Sequence, residues 1–328
     1  MNDTSTTPSS RIISVNSDSS DWTISGGLEY SSLYIGQPLD PDSPVAIFVR
    51  AGREVGDRVA GRRVHSTAEL FTVLEGTVQL DGRWLSKGQI QLAAPGVPHG
   101  DLVFGPDGAT VMMFFASRRG LIPRFEDAGD QERFDSSALA SARSVAEGRQ
   151  EIDVALLPER PTFTARRGIR ADTDPLRGGE TPVGENKGLI WTAVDDDALP
   201  WSHNINVRTA VIVVGEENDA SAPTIAVINA EPGPGDRLRG RHIHTTDAVN
   251  FVVRGAMYMD GDWIHSGEAK VVSGYFEYGD ALIGPEGVQF LEIFAAAPGA
   301  IPQFVDPLDQ EFYDTRRAAG HMVERVSL

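Results

Sequence analysis

The stretch ELFTVLEGTVQLDGRW, residues 69–84, returns 179 positions later as AVNFVVRGAMYMDGDW, residues 248–263. Both copies carry a glycine, Gly76 and Gly255, and close on Asp81-Gly82-Arg83-Trp84 and Asp260-Gly261-Asp262-Trp263. Extended outward at the same shift, Pro44–Phe125 falls on Pro223–Phe304 without a gap, with 26 identities in 82 positions. Gly56-Asp57-Arg58 lands on Gly235-Asp236-Arg237, Ile122-Pro123 on Ile301-Pro302, and Trp22 on Trp201. A gapless register this long means two copies of one domain.

Within each copy the texture is β. Apolar and β-branched stretches of five to eight residues alternate with turn signals. Leu70–Leu74 runs into Glu75-Gly76, and Thr77–Leu80 runs into the hairpin signal Asp81-Gly82. Gly88 opens another strand, Pro95-Gly96 closes it, and a last strand, Ala109–Ala116, follows the turn Gly105-Pro106-Asp107-Gly108. Short strands with regular punctuation predict an all-β sandwich or barrel. Ser136–Gln150 has helical spacing, Arg160–Lys187 reads as a linker, and Asp309–Met322 predicts a short C-terminal helix. The expected layout is a disordered tail over 1–21, a first barrel over 22–135, a helix and linker over 136–200, and a second barrel with its helix over 201–328.

Composition narrows the function. The 328 residues carry 47 acidic against 29 basic side chains, a net charge of −18 that disfavours nucleic acid and anionic membranes. With no cysteine, disulfides, thiolate metal sites and a cysteine nucleophile are excluded. No apolar run reaches the ~18 residues that span a bilayer, and no secretory leader is apparent, so a cytoplasmic protein is expected. Any metal must be held by histidine, carboxylate, tyrosinate or water.

His65 and Glu69 bracket the start of one strand, and His99 follows Pro95-Gly96-Val97-Pro98. On neighbouring strands of a small barrel the three converge as a 2-His-1-carboxylate set, the arrangement of non-haem Fe(II) centres with open positions. The bland alternative for His99 is a hydrogen-bonded core or surface histidine. Trp84 and Trp263 recur in both copies and read as core or interface residues.

His65-x3-Glu69-x6-Gly76, followed by Gly88-x10-His99, resembles the two motifs of the cupin superfamily, and both copies lie in that frame. The layout resembles the two-domain quercetin 2,3-dioxygenase-like bicupins, with Gly120–Phe125 and Gly299–Phe304 where those proteins have barrel-exit segments. The resemblance implies two tandem double-stranded β-helix (jelly-roll) barrels and one divalent transition metal, Fe(II) first, with Mn, Ni, Cu, Co or Zn as alternatives. It implies dioxygenase chemistry with a small organic substrate and O2, and Glu69 as ligand or base.

The departures from that frame matter more. In the first copy the first motif histidine is Arg63, which cannot coordinate a metal but can pair with Glu69 or hold an anionic substrate. In the second copy His242 and His244 are present, Ala248 replaces the glutamate and Tyr278 the last histidine. Asp247, Tyr278 or Glu292 then remain as third ligands. Glu292 stands out in the apolar run Phe290–Phe294, either inward as an acid–base group or facing solvent.

Three functions follow. An oxygenase would act on an aromatic or enolic substrate, with Met112, Met113, Phe114 and Phe115 offering pocket side chains. A non-redox isomerase, cyclase or lyase would use the metal as Lewis acid, Arg63 as anchor, and Tyr278 with Glu292 as acid–base pair. A binding bicupin would have lost both centres. The oxygenase is the leading expectation, in a homodimer.

Overall fold

The computed structural model describes residues 9–15, 22–25, 27–37, 40–51, 58–137, 140, 143, 146–147, 189–204, 206–216, 218–232, 240–318 and 325–326. Two compact units emerge, Asp18–Ala193 in one and Met1–Ser17 with Val194–Ser327 in the other. Each is built on a nine-stranded, essentially antiparallel sheet, giving the two tandem cupin-like β domains that the repeat predicts.

In the first unit the sheet runs, strand by strand, Leu189–Ala193, Gln89–Ala93, Glu69–Leu80, Leu102–Phe115, Val45–Ala51, Leu28–Tyr34 and Thr23–Ser25. The sheet curls on itself. Leu28 near one end and Trp191 near the other join Ile47, Phe71, Val111, Met113 and Phe115 in one buried cluster. The opposite face of the same strands, with Phe48, Leu70, Met112 and Phe114, is buried as well. That two-sided burial is why these strands read as continuous apolar runs instead of a strict alternation.

The second unit repeats the order: Ser10–Ser14, Glu268–Val272, Ala248–Met259, Leu282–Phe294, Thr224–Ala230, Val207–Val213 and Ser202–Asn204. The repeat therefore reaches further than its identities. Ser10–Ser14 and Leu189–Ala193 are 179 residues apart, and each pairs in the same register, Ser10 with Val272 and Leu189 with Ala93. Each copy thus contributes its first strand to the sheet of the other copy.

This corrects two expectations. Part of the segment expected as a disordered tail is a strand, and Leu189–Ala193, expected in the linker, belongs to the first sheet. The reason is local: Ser-Arg-Ile-Ile-Ser has two apolar residues, one of them Ile12 at 36% exposure, so its hydrogen bonds rather than its side chains place it. The rest of 1–21 lies largely outside the described residues, as do most of Ser136–Gln150 and all of Arg160–Lys187.

The hairpin signals hold. Asp81 and Gly82 both have positive φ, 50° and 78°, as do Asp260 and Gly261 at 51° and 97°. This is the two-residue turn that matches strand twist. Gly105–Gly108 is not a break but an irregular stretch inside the single strand Leu102–Phe115, where the register with Glu69–Leu80 shifts between Phe104 and Ala109. Short helices, Ala128–Asp135 and Pro307–Ala318, follow the two barrels. Each is tied back by the same contact: Gln131 Oε1 accepts from Phe125 N, and Gln310 Oε1 from Phe304 N, both at 2.8 Å. Trp263 is 45% exposed, so of the two readings, core or interface, it is not a core residue.

Gly76 and Gly255 are required by more than their positive φ of 70° and 74°. A Cβ at either would lie 2.1 Å from a backbone oxygen, Gly108 O or Gly287 O. Gly82 shares the left-handed conformation but has open space around it. Gly76→Ala and Gly255→Ala are therefore expected to cost well over ~2 kcal/mol, because strain and a backbone clash add, whereas Gly82→Ala costs only about 1–2 kcal/mol. Urea unfolding of the three variants measures the difference, and equal losses would contradict the close-approach account.

Candidate metal centres

Backbone pairing brings the first set of side chains together. Arg63 N donates to His99 O at 2.8 Å and His99 N to Arg63 O at 3.0 Å, so these residues stand side by side. His65 follows the short strand Arg63–Val64, which is held by Arg124–Phe125, and Glu69 opens the long strand Glu69–Leu80. The expected convergence is realised. His65, Glu69 and His99 are 1–2% exposed, with ligand atoms all within 4.8 Å of one another.

The tautomers are set from behind. His65 Nδ1 donates to Gly120 O at 2.6 Å and His99 Nδ1 to Val97 O at 2.9 Å, because a carbonyl can only accept. In the neutral rings Nε2 then carries the lone pair, and both Nε2 atoms face Glu69 Oε2, at 3.2 Å and 2.8 Å. Acceptors so close need positive charge among them: a proton on a ring, the Arg63 guanidinium whose Nε reaches His65 Nε2 at 3.1 Å, or a metal. Donors about 2.1 Å from a metal and at right angles to one another are separated by about 3.0 Å, so the spacing suits adjacent ligands.

Electrostatics agree. Burial pushes the His65 imidazole down to about 3, helped by Arg63 and His99 and opposed by Glu69 and the Gly120 contact, so His65 is neutral near pH 7. For Glu69, burial raises the carboxyl. The imidazoles of His65 and His99, the His99 hydrogen bond and the Arg63 guanidinium outweigh it and hold Glu69 below the usual carboxylate range. The site therefore offers one anionic and at least one neutral donor.

Arg63 is 4% exposed and lies against this set, with Nε 3.1 Å from His65 Nε2 and Nη2 3.9 Å from Glu69 Oε1. Its Nη1 is buried with no hydrogen-bond partner among the described residues, and so is Glu69 Oε1. A second buried guanidinium, Arg143, sits close enough for its charge to couple to Arg63 and Glu69. It donates from Nη1 to Leu121 O at 2.9 Å, while its Nε is buried and unpartnered among the described residues. Burial lowers Arg143 to about 10, with Arg63 acting the same way and Tyr30 and Glu69 opposing, so it stays charged at neutral pH. Burial pushes Tyr30 up to about 12, against the pull of Arg143 and Arg63, leaving a phenol that can donate.

The second unit builds a different centre on the same frame. His242 and Tyr278 exchange backbone hydrogen bonds at 2.9 and 3.0 Å, as Arg63 and His99 do. His242 Nδ1 donates to Gly240 O at 2.6 Å and His244 Nδ1 to Gly299 O at 2.5 Å, so Nε2 is the ligand atom in the neutral form of each. Glu292 is 3% exposed and faces inward, settling the choice the sequence left open. Its Oε1 accepts from Tyr278 OH at 3.1 Å and lies 3.8 Å from His244 Nε2. His242, His244 and Glu292 form the second cluster able to hold a metal. Asp247 does not join it; its carboxylate accepts from Gly274 N at 2.8 Å.

Of the four apolar residues, some of which were expected to line a pocket, Met113 and Phe115 face the interior cluster, whereas Met112 and Phe114 lie on the opposite face of the strand. Sequence reasoning missed Arg143, Tyr30 and Asn250. Asn250 is 1% exposed and opposite Glu292 in the strand register, with both amide atoms unpartnered among the described residues. The signal for Arg143 was an arginine three residues after Ala140 and three before Ala146, on the apolar stripe of an expected helix.

No family model matches the chain, and no curated protein matches it. Solved structures do. An arginine-to-alanine mutant of Bacillus subtilis oxalate decarboxylase OxdC aligns with TM-score 0.51 and 15% identity over 90% of this chain and 81% of that one. A structure of the same enzyme from work assigning the EPR fine structure of its Mn(II) centres gives TM-score 0.52 and 16% identity, over 90% and 79%. A tryptophan-to-phenylalanine form of that enzyme gives TM-score 0.51 and 16% identity, over 87% and 77%. At this identity the likeness is one of fold: the chain shares the two-domain β architecture of that enzyme.

Proposed function

We propose that the first unit is the centre of a metal-dependent enzyme whose substrate is a small organic anion, a carboxylate or an enolate. The carrying observation is the pair of buried arginines, Arg63 against His65 and Glu69 and Arg143 near enough for its charge to act on Arg63 and Glu69, each with a guanidinium nitrogen that lacks a partner among the described residues. Two buried cations against one carboxylate leave an excess of positive charge. A divalent metal adds to it, and burying such charge uncompensated costs several kcal/mol. An anionic substrate supplies the compensation, and planar guanidinium forks suit a carboxylate.

His65, Glu69 and His99 would hold the metal, which when bound acts as a Lewis acid on a substrate oxygen. With the metal held there, the Arg63 Nε that bonds His65 Nε2 at 3.1 Å would be free to face the substrate instead. Glu69 Oε1 is then placed to take a proton from the substrate's hydroxyl or α-carbon. Met113 and Phe115 exclude water from the same space. These residues support non-redox proton transfer or bond cleavage at a carboxylate. The apolar Phe71, Met113 and Phe115 favour a second reading, O2-dependent cleavage of an enolic compound, in which Glu69 performs the same deprotonation. A cytoplasmic homodimer, with Mn(II) or Fe(II) as the metal, completes the proposal.

Two outcomes test it. Binding of small carboxylates to the metal-loaded protein, followed by calorimetry, is expected to weaken about tenfold or more in Arg63→Met and in Arg143→Met, the loss of a charged hydrogen bond worth about 1.5–3 kcal/mol. A neutral analogue should be unaffected, and equal binding by all three proteins removes the anion reading. Turnover under anaerobic conditions then separates proton chemistry from oxygenation. Second, Arg63→His replaces a cation with a donor where the cupin motif has histidine. It is expected to raise metal affinity of the first centre on the order of ten- to hundredfold, read by chelator competition in a His244→Ala background; lower affinity would mean that Glu69 and the two histidines do not face a metal.

A further inference from the structure

The second unit keeps the frame of the first but changes the donors at three places at once. Under the 179-residue shift Glu69 becomes Ala248, His99 becomes Tyr278 and Met113 becomes Glu292. The position of Met113 and Glu292 faces the centre in both units: Met113 Sδ is 3.8 Å from Arg63 Nη2, and Glu292 Oε1 is 3.8 Å from His244 Nε2. The carboxylate has therefore moved from one strand to its neighbour and still reaches the histidine pair. Tyr278 takes the place of His99 with the same backbone bridge, and its ring lies 4.6 Å from that of His242 and 5.7 Å from that of His244. Its hydroxyl points at Glu292, not at solvent, and the residue is 1% exposed.

We propose that the second unit is a metal centre of a different kind from the first, in which the Tyr278 oxygen joins His242, His244 and Glu292 as a protein ligand. The hydroxyl bonds Glu292 Oε1, the oxygen 3.8 Å from His244 Nε2, so the phenol oxygen adjoins the cluster in which the Glu292 carboxylate and the two imidazole nitrogens lie within 4.8 Å of one another. When the oxygen–metal bond forms, the O–H bond breaks and its proton leaves to solvent. Two anionic oxygen donors and two imidazoles make a harder, more negative set than His65, Glu69 and His99, and suit a more highly charged ion such as Fe(III). Asn250 supports a working centre over a packed scaffold. It pairs in register with both Glu292 and Lys270, which puts it on the same face of the sheet as Glu292, and its buried amide presents a donor and an acceptor that have no partner among the described residues.

The experiment uses the full chain carrying His99→Ala, so that the first centre and the function proposed for it do not contribute. The protein is stripped with chelator, loaded with one equivalent of Fe(III), and its metal content and visible spectrum are recorded. A phenolate-to-iron charge-transfer absorption is expected, with the metal retained. In His99→Ala/Tyr278→Phe the absorption should vanish while iron still binds, at least about tenfold more weakly. In His99→Ala/His242→Ala binding itself should be lost. Retained colour in the Tyr278→Phe protein, or bound iron without colour before that change, would overturn the tyrosine ligand and leave Tyr278 as the hydrogen-bond partner of Glu292. Failure of His99→Ala to bind iron at all would overturn the centre, and near-ultraviolet circular dichroism of that variant confirms that its fold is intact.

Discussion

Everything in the first unit turns on a buried carboxylate that faces two imidazole lone pairs. Glu69 Oε2 lies 2.8 Å from one Nε2 and 3.2 Å from the other, in a space with almost no access to water. Such an arrangement is stable only with positive charge inside it, since an isolated buried ion costs far more than a domain's net stability allows. The two histidines are pinned from behind by carbonyls of Gly120 and Val97, so they cannot turn away. The sheet then has to be closed around the site, and the exchanged strand Leu189–Ala193 extends it beside Gln89–Ala93, which itself pairs with the strand bearing Glu69.

The carbonyl pins show which part of the site belongs to the scaffold. His65 and His244 point Nδ1 at Gly120 O and Gly299 O, positions 179 residues apart, and the exit segments that supply these carbonyls are tied by equivalent strands and helices. The scaffold therefore fixes a direction for Nε2, and the remaining donors come from neighbouring side chains that tolerate change. Arg62–Asp81 and Arg241–Asp260 ion pairs recur at 2.9 and 3.1 Å at the hairpin end of each unit, on the surface side of that scaffold. At such half-exposed sites they add little stability, but their recurrence marks the hairpins as shared framework.

How much of this was legible depends on what carried the information. The repeat made the fold readable because hairpin glycines and apolar runs survive in both copies, and a left-handed Asp-Gly turn admits few alternatives. Ser10–Ser14 was not readable, because an edge strand held by backbone hydrogen bonds has no side-chain signature. Glu292 announced itself as a carboxylate in an apolar strand, yet only the register with Asn250 and Ala226 shows that it faces inward. Arg143 lies far along the chain from Glu69, and no spacing rule links an arginine on a helical segment to a barrel interior.

Duplication explains why the two centres can differ. In a single barrel, losing Glu69 would leave two imidazoles and a destabilised site. With two copies in one chain, the equivalent interior position is Met113 in one unit and Glu292 in the other, and the position of His99 is Tyr278. Each change alone buries an uncompensated polar group, at a cost of about 1–3 kcal/mol or more for a charge. Together the phenol donates to the carboxylate at 3.1 Å and each offsets the burial of the other. The same logic accounts for Arg63, which stands where the second unit has His242 and has Glu69 nearby to balance its charge. The two interiors are thus alternative solutions to one electrostatic problem, set on the same strand order and register.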